Sequence, residues 1–260
     1  MKEMCIQQPT EENWLIIAEG FERRVNFPHC IGAIDGKHIR VIQPKESGSL
    51  DYNYKKYFSF VLLAVCDADY TFTYIDIGSY GRSSDSSIFK QTPFYKRMMD
   101  NTLNIPAEII IKGTVDTITP YSFVGDEAFG LSENILRPYG GKILPEKKKI
   151  FNYRLSKARR YIECSFGILA NKWRILHRPL NVDIEFAIDI VKACCLLHNF
   201  VTKRDGYQFE DAITTPDLQN FDRANMNRGN QRALTIRDNL ANYFVSKEGE
   251  LTWQYNILLR

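Results

Sequence analysis

The chain has 260 residues, enough for one substantial core or a core with small appendages. Its 44% hydrophobic and 25% charged content matches an ordinary globular protein and excludes a wholly disordered chain. Six cysteines are too sparse for a secreted disulfide scaffold, and no signal-peptide pattern or run of eighteen apolar residues occurs. These features predict a soluble, intracellular chain with reduced thiols. The net charge of +3 is unevenly spread. Lys142, Lys147, Lys148, Lys149, Arg154, Lys157, Arg159 and Arg160 stand against Glu146 alone, a local +7 that leaves −4 elsewhere. Such a patch suits a phosphate-backbone partner or a solvated helix face.

Residues 1–30 hold one amphipathic stretch around Trp14, Leu15, Ile16, Ile17 and Phe21, long enough for a short helix. Ile31 to Ile42 reads as a strand, followed by a turn region from Pro44 to Ser49. Tyr57–Val65 and Thr71–Ile77 read as two further strands about the turn Asp67-Ala68-Asp69, giving an antiparallel meander. Ser84-Asp85 offers an N-cap for a helix over Ser86–Met99. Residues 102–120 fit no element, Ile109-Ile110-Ile111 included. Tyr121–Gly125 is a short strand ending at Asp126. The clearest helix spans Asn152–Ile175, where Leu155, Ala158, Ile162, Phe166, Leu169 and Trp173 form a narrow apolar stripe with Glu163 at its edge. Helices over Phe186–Val201 and Arg228–Phe244 follow, with the polar run Lys203–Asn230 between them. The order predicts an α/β chain with a ribonuclease H-like fold. Its mixed sheet begins with a three-strand antiparallel meander and is flanked by helices. The expected organisation is a short helical segment at 1–30, a main domain at 31–202, and a polar linker with a C-terminal helix at 203–260.

Three acids occupy unusual places. Asp35 lies within an apolar strand, Asp126 ends another, and Glu163 borders a buried stripe. Half-buried carboxylates are expensive unless something compensates their charge. Oxygen-liganded Mg²⁺ or Mn²⁺ would do so. So would separate local partners: a turn for Asp126, Lys37 or a backbone amide for Asp35, Arg159 or Arg160 for Glu163. Spacing alone favours the local partners. Asp85 reads either as a further carboxylate near a metal or as a helix cap, the cap being slightly favoured. His38 fits a hydrogen-bonded structural histidine better than a ligand. Cys194 and His198, at i and i+4, fit core packing better than zinc, since no second pair exists. No Gly-x-Ser-x-Gly elbow, Walker-type loop or Gly-x-Gly-x-x-Gly turn is present.

Resemblance alters that balance. Ile31-Gly-Ala-Ile-Asp35-Gly-Lys-His38, Phe123-Val-Gly-Asp126-Glu-Ala-Phe129, and Phe151-Asn-Tyr-Arg-Leu-Ser-Lys-Ala-Arg-Arg160 running into Glu163-Cys-Ser-Phe-Gly-Ile-Leu169 resemble the three blocks of the PIF/Harbinger family. That family groups DDE transposases with nuclease-like proteins domesticated from them. Gly78-Ser-Tyr-Gly-Arg-Ser-Ser-Asp85-Ser, Leu197-His-Asn-Phe200, Tyr243-Phe244 and Trp253-Gln254 extend the likeness over nearly the whole chain. The resemblance implies a metal-dependent DNA endonuclease in which Asp35, Asp126 and Glu163 bind two divalent cations, Mg²⁺ or Mn²⁺, with Asp85 a possible fourth ligand. Lys157, Arg159, Arg160 and Arg174, with Lys172 less strongly, are expected on DNA phosphates. It also implies nuclear residence, a separate Myb-like DNA-binding partner, and no membrane. Lys147-Lys148-Lys149 is by itself only a weak import signal. The other expectation is an inert, domesticated DNA- or chromatin-binding protein on the same scaffold. The segment of about thirty residues ahead of the first block, where family members commonly carry a helical region, argues for it.

Overall fold

The computed structural model describes residues 6–43, 53, 56–206 and 229–257. The predicted turn at Pro44–Ser49 and most of the polar run after Lys203 lie outside them. Among the described residues, no helix is long and apolar enough to cross a membrane.

Helix α1, Glu11–Val25, starts at a capping box: Asn13 N–H donates to Thr10 Oγ1 and Thr10 N–H donates back to Asn13 Oδ1. Its buried face is Trp14, Ala18 and Phe21, whereas Leu15 and Ile16 are exposed. Strands β1 (Cys30–Arg40), β2 (Ser59–Cys66) and β3 (Phe72–Tyr80) follow, then β4 (Ile109–Ile110), β5 (Ile118–Thr119), β6 (Ser122–Val124) and β7 (Ile135–Leu136). One sheet has the order β3-β2-β1-β6-β7, with β2–β3 antiparallel and β1–β6 and β6–β7 parallel. The first three strands lie side by side in chain order, as the meander requires. In the β1–β6 ladder Gly32 pairs with Phe123 and Ala33 with Val124. The β4–β5 hairpin resolves residues 102–120, and Ile109 and Ile110 are exposed while Ile111 is buried.

The expected helix over Ser86–Met99 is two helices, α2 (Asp85–Gln91) and α3 (Pro93–Met99). Pro93 cannot donate an amide inside a helix, so the chain restarts there with Thr92 capping Tyr95 N–H. The long helix α4, Glu146–Lys172, begins a turn and a half earlier than its apolar stripe indicates. Three lysines near a helix N-terminus oppose its dipole, so the pattern hides the start. Pro145 precedes that turn, its carbonyl accepting from Lys148 and Lys149 N–H. Leu155, Ala158, Ile162, Phe166 and Leu169 are all buried. Trp173 lies beyond the helix, next to a 3-10 turn over Arg174–His177. Helices α5 (Ile184–Asp205) and α6 (Gln231–Tyr243, capped by Asn230) complete the order.

The chain forms two compact units. The first comprises residues up to 9, 34–103 and 161–209. Every residue of β2 is buried there, and Phe72 on β3 packs against Phe166 and His198, with ring centroids 5.9 and 5.0 Å away. Asn199 on α5 clasps that strand: Phe72 N–H donates to Asn199 Oδ1 (2.8 Å), and Asn199 Nδ2 donates to the Phe72 carbonyl (2.7 Å). Gly78, at φ +112°, leaves room for Ile188, whose Cδ1 lies 2.8 Å from where a Cβ would stand.

The second unit comprises residues 10–33, 104–160 and from 210 onward. Trp14 meets Phe123 edge-on, and Phe27, Phe151 and Phe244 form an aromatic cluster. Asn152 repeats the clasp, accepting from Tyr139 N–H (2.7 Å) and donating to its carbonyl (2.9 Å). Arg154, counted in the basic patch, is instead 1% exposed: it donates to the carbonyls of Asn26 and Gly249 and to Gln254 Oε1, and lies over the Phe244 ring.

Candidate functional site

Asp35 lies half-buried on β1, where its Oδ1 accepts from Gly36 N–H (2.8 Å). Gly36 is the key neighbour. A Cβ added to it would stand 2.2 Å from Asp85 Oδ1 and 2.5 Å from Asp85 Cγ. The Asp85 carboxylate therefore occupies the space that any larger residue at 36 would fill, beside the backbone that follows Asp35. Helix capping falls to Ser84, whose Oγ accepts from Ser87 N–H, so Asp85 is the first helical residue and not the cap. The pattern Ser-Ser-Asp-Ser-Ser hides this, because all five residues are of types that can cap.

Glu163 corrects a reading of the helical wheel: it is exposed on α4, not half-buried. The wheel places it about 100° from the stripe, and the packing around α4 stops short of that angle. One turn further on, Phe166 is buried, and Lys37 Nζ lies 5.8 Å from its ring centroid. Lys37 is two residues beyond Asp35 and so shares its strand face. This contact brings the Asp35 face of β1 to the stretch of α4 that carries Glu163.

In the second unit, Asp126 sits half-buried just after β6. Its Oδ1 accepts from Ala128 N–H (2.9 Å), and its carbonyl accepts from Phe129 N–H (3.3 Å). Gly125 permits this turn: a Cβ there would stand 2.9 Å from the Phe129 ring. The block Gly125-Asp126-Glu-Ala-Phe129 is thus one tight turn presenting a carboxylate. Among the described residues, no three His, Cys, Asp or Glu side chains are grouped closely enough to hold a metal ion. The donors available are carboxylate oxygens, the chemistry a hard divalent cation takes, and Gly36 keeps two of them beside one stretch of backbone.

The remaining candidates separate cleanly. His38 Nδ1 pairs with Ser59 Oγ (3.0 Å), a structural role. His198 is buried and its Nε2 donates to the Tyr70 carbonyl (2.8 Å); with Cys194 it belongs to the core. Lys157 Nζ lies 3.9 Å from the Trp253 ring centroid, and burial with Arg154 and Arg160 nearby lowers its pKa. Arg159 and Arg160 are half-buried, and Lys172 and Arg174 are exposed. What sequence reading missed is the backbone work of Asn152, Asn199 and Arg154. Their signal was present, since all three lie inside the family blocks.

A mixed sheet flanked by helices, with acids on its strands, defines an α/β protein of ribonuclease H-like architecture. Residues 34–199 match the DDE superfamily endonucleases, and the chain belongs to that family. It is similar to the protein called Protein ALP1-like from Arabidopsis thaliana, 27% identical over 235 residues. The alignment covers 89% of this chain and 57% of that relative, so the chain spans little more than half its length. No solved structure matches.

Proposed function

We propose that this chain is a divalent-metal-dependent DNA endonuclease of the PIF/Harbinger type, derived from a transposase. Asp35, Asp126 and Glu163 hold the cations, Mg²⁺ or Mn²⁺, and Asp85 joins them from its seat against Gly36. Divalent cations held there would supply Lewis acidity for an in-line displacement by a water or a 3′-hydroxyl. Lys157, Arg159, Arg160 and Arg174 seat the phosphates, Lys157 by leaving the Trp253 ring. Nuclear residence and a separate Myb-like partner belong to the same reading. The observation that carries it is the carboxylate of Asp85 packed on Gly36 beside Asp35, within a family match that spans Asp35, Asp126 and Glu163.

Metal-dependent cleavage of duplex DNA tests the reading. Asp35→Asn and Asp126→Ala each abolish it; activity that survives both changes removes the assignment. The alternative reading is an inert DNA- or chromatin-binding descendant on the same scaffold. Calorimetric titration with Mn²⁺ separates the two. Binding lost in Asp35→Asn supports the enzyme, and the absence of acid-dependent binding supports the inert protein.

A further inference from the structure

Helix α5 carries a second pattern on the face it turns outward. Phe186, Ile190, Ala193, Leu197 and Phe200 are spaced 4-3-4-3, and at about 100° per residue they fall within an arc of about 80°. Phe186 is 59% exposed, Phe200 51% and Leu197 39%; Ala193 is exposed and Ile190 half-buried. The opposite face of the helix, with Val191, Cys195, His198 and Asn199, is buried in the first unit. An alternation of three and four over about 21 Å has the spacing of a two-helix seam, and here it lies on the face of α5 that the first unit leaves exposed.

The charges around the stripe select its occupant. Before its midpoint stand Asp183, Glu185 and Asp189 against Lys192, a net −2, and beyond its end Lys203 and Arg204 against Asp205, a net +1. Lys192 pairs with Asp189 and Arg204 with Asp205, all four exposed, so these pairs are weak and exchangeable. Arg204 also lies 5.6 Å from the Phe200 ring centroid, on the line of the stripe. A parallel second helix would set acid against acid. Antiparallel pairing about Ala193 sets the acidic start of each helix against the basic end of the other. Phe186 of one copy then meets Phe200 of the other, and Ile190 lies beside Leu197. The pattern is complementary to itself under a two-fold axis, and its smallest side chain sits where the helices approach most closely.

We propose that α5 is a homodimerisation helix, pairing antiparallel with α5 of a second copy of this chain. Sedimentation velocity on the full chain over a concentration series tests this directly. A concentration-dependent dimer is expected. Leu197→Asp gives a monomer with an unchanged far-UV spectrum and unfolding midpoint, and Phe200→Ser gives the same should the first variant fold poorly. Glu185→Lys and Lys203→Glu each shift the protein toward monomer, and the two together restore the dimer. A wild-type chain that stays monomeric throughout overturns the proposal. So does a dimer that persists in Leu197→Asp and Phe200→Ser, or a double charge reversal that fails to restore association.

Discussion

Arg154 shows why a residue count misjudges a residue. It sits among seven other basic side chains in sequence, yet it ties the end of α1 at Asn26 to the C-terminal stretch at Gly249 and Gln254. Burial lowers its pKa to about 10, still far above neutrality, so the guanidinium stays charged. Removing it leaves two carbonyls and an amide oxygen without their donor. Arg154→Leu should therefore lower unfolding free energy by about 3 kcal/mol, read from urea denaturation. Histidines give a second prediction at this scale. Burial lowers the pKa values of His29 and His198, so on acidification the unfolded chain takes up protons, from about 6.5 downward, before the folded state does. Between the folded and unfolded values the unfolded state binds more protons. Stability is therefore full above about 6.5 and falls as pH drops below it. Thermal midpoints across pH 7 to 5 should fall, and His198→Gln should flatten that slope. A slope unchanged in the variant means that His198 does not contribute to it.

At the scale of the element, the helices are tied to their neighbours by side chains that imitate backbone. Asn199 offers the edge of Phe72 one acceptor and one donor, as a paired strand would, and Asn152 does the same for Tyr139. Asn199→Asp keeps the acceptor but sets a carboxylate against the Phe72 carbonyl, so it should destabilise more than loss of one hydrogen bond. A loss of about 2–3 kcal/mol in chemical denaturation is expected; a loss under about 0.5 kcal/mol means the clasp is not what holds α5 to β3. This is also where sequence and structure part. The stripe on α4 is legible from Leu155 onward, where burial is periodic, whereas residues 150–155 are buried all round. The break at Pro93 was open to reading from Thr-Pro alone, but apolar residues on both sides of it, Ile88 and Phe89 before and Phe94 after, read as one continuous helix. The β4–β5 hairpin and β7 have two-residue strands, too short for any periodicity to register. Asp35 and Asp126 stand out because apolar strands rarely carry acids. The approach of Asp85 to Gly36 joins residues nearly fifty positions apart, which no local pattern encodes.

Across the whole molecule, charge is the property that sequence overstates and structure refines. Of the basic stretch from Lys142 to Arg160, only Arg154 is buried; the others are exposed or half-buried in the second unit. On the proposed function, the surface members neutralise DNA phosphates and Arg154 does not. Salt dependence separates these roles, because every cation withdrawn from a phosphate lowers the slope of log affinity against log salt by about 0.9 on duplex DNA. Arg159→Gln with Arg160→Gln should therefore reduce the slope by about 1.8 and weaken binding to unrelated sequences alike. Arg154→Gln should lower stability and leave the slope of the folded protein as it was. The reverse result, a slope that responds to Arg154 and ignores the pair, would mean that the basic stretch serves the fold and that DNA is held elsewhere.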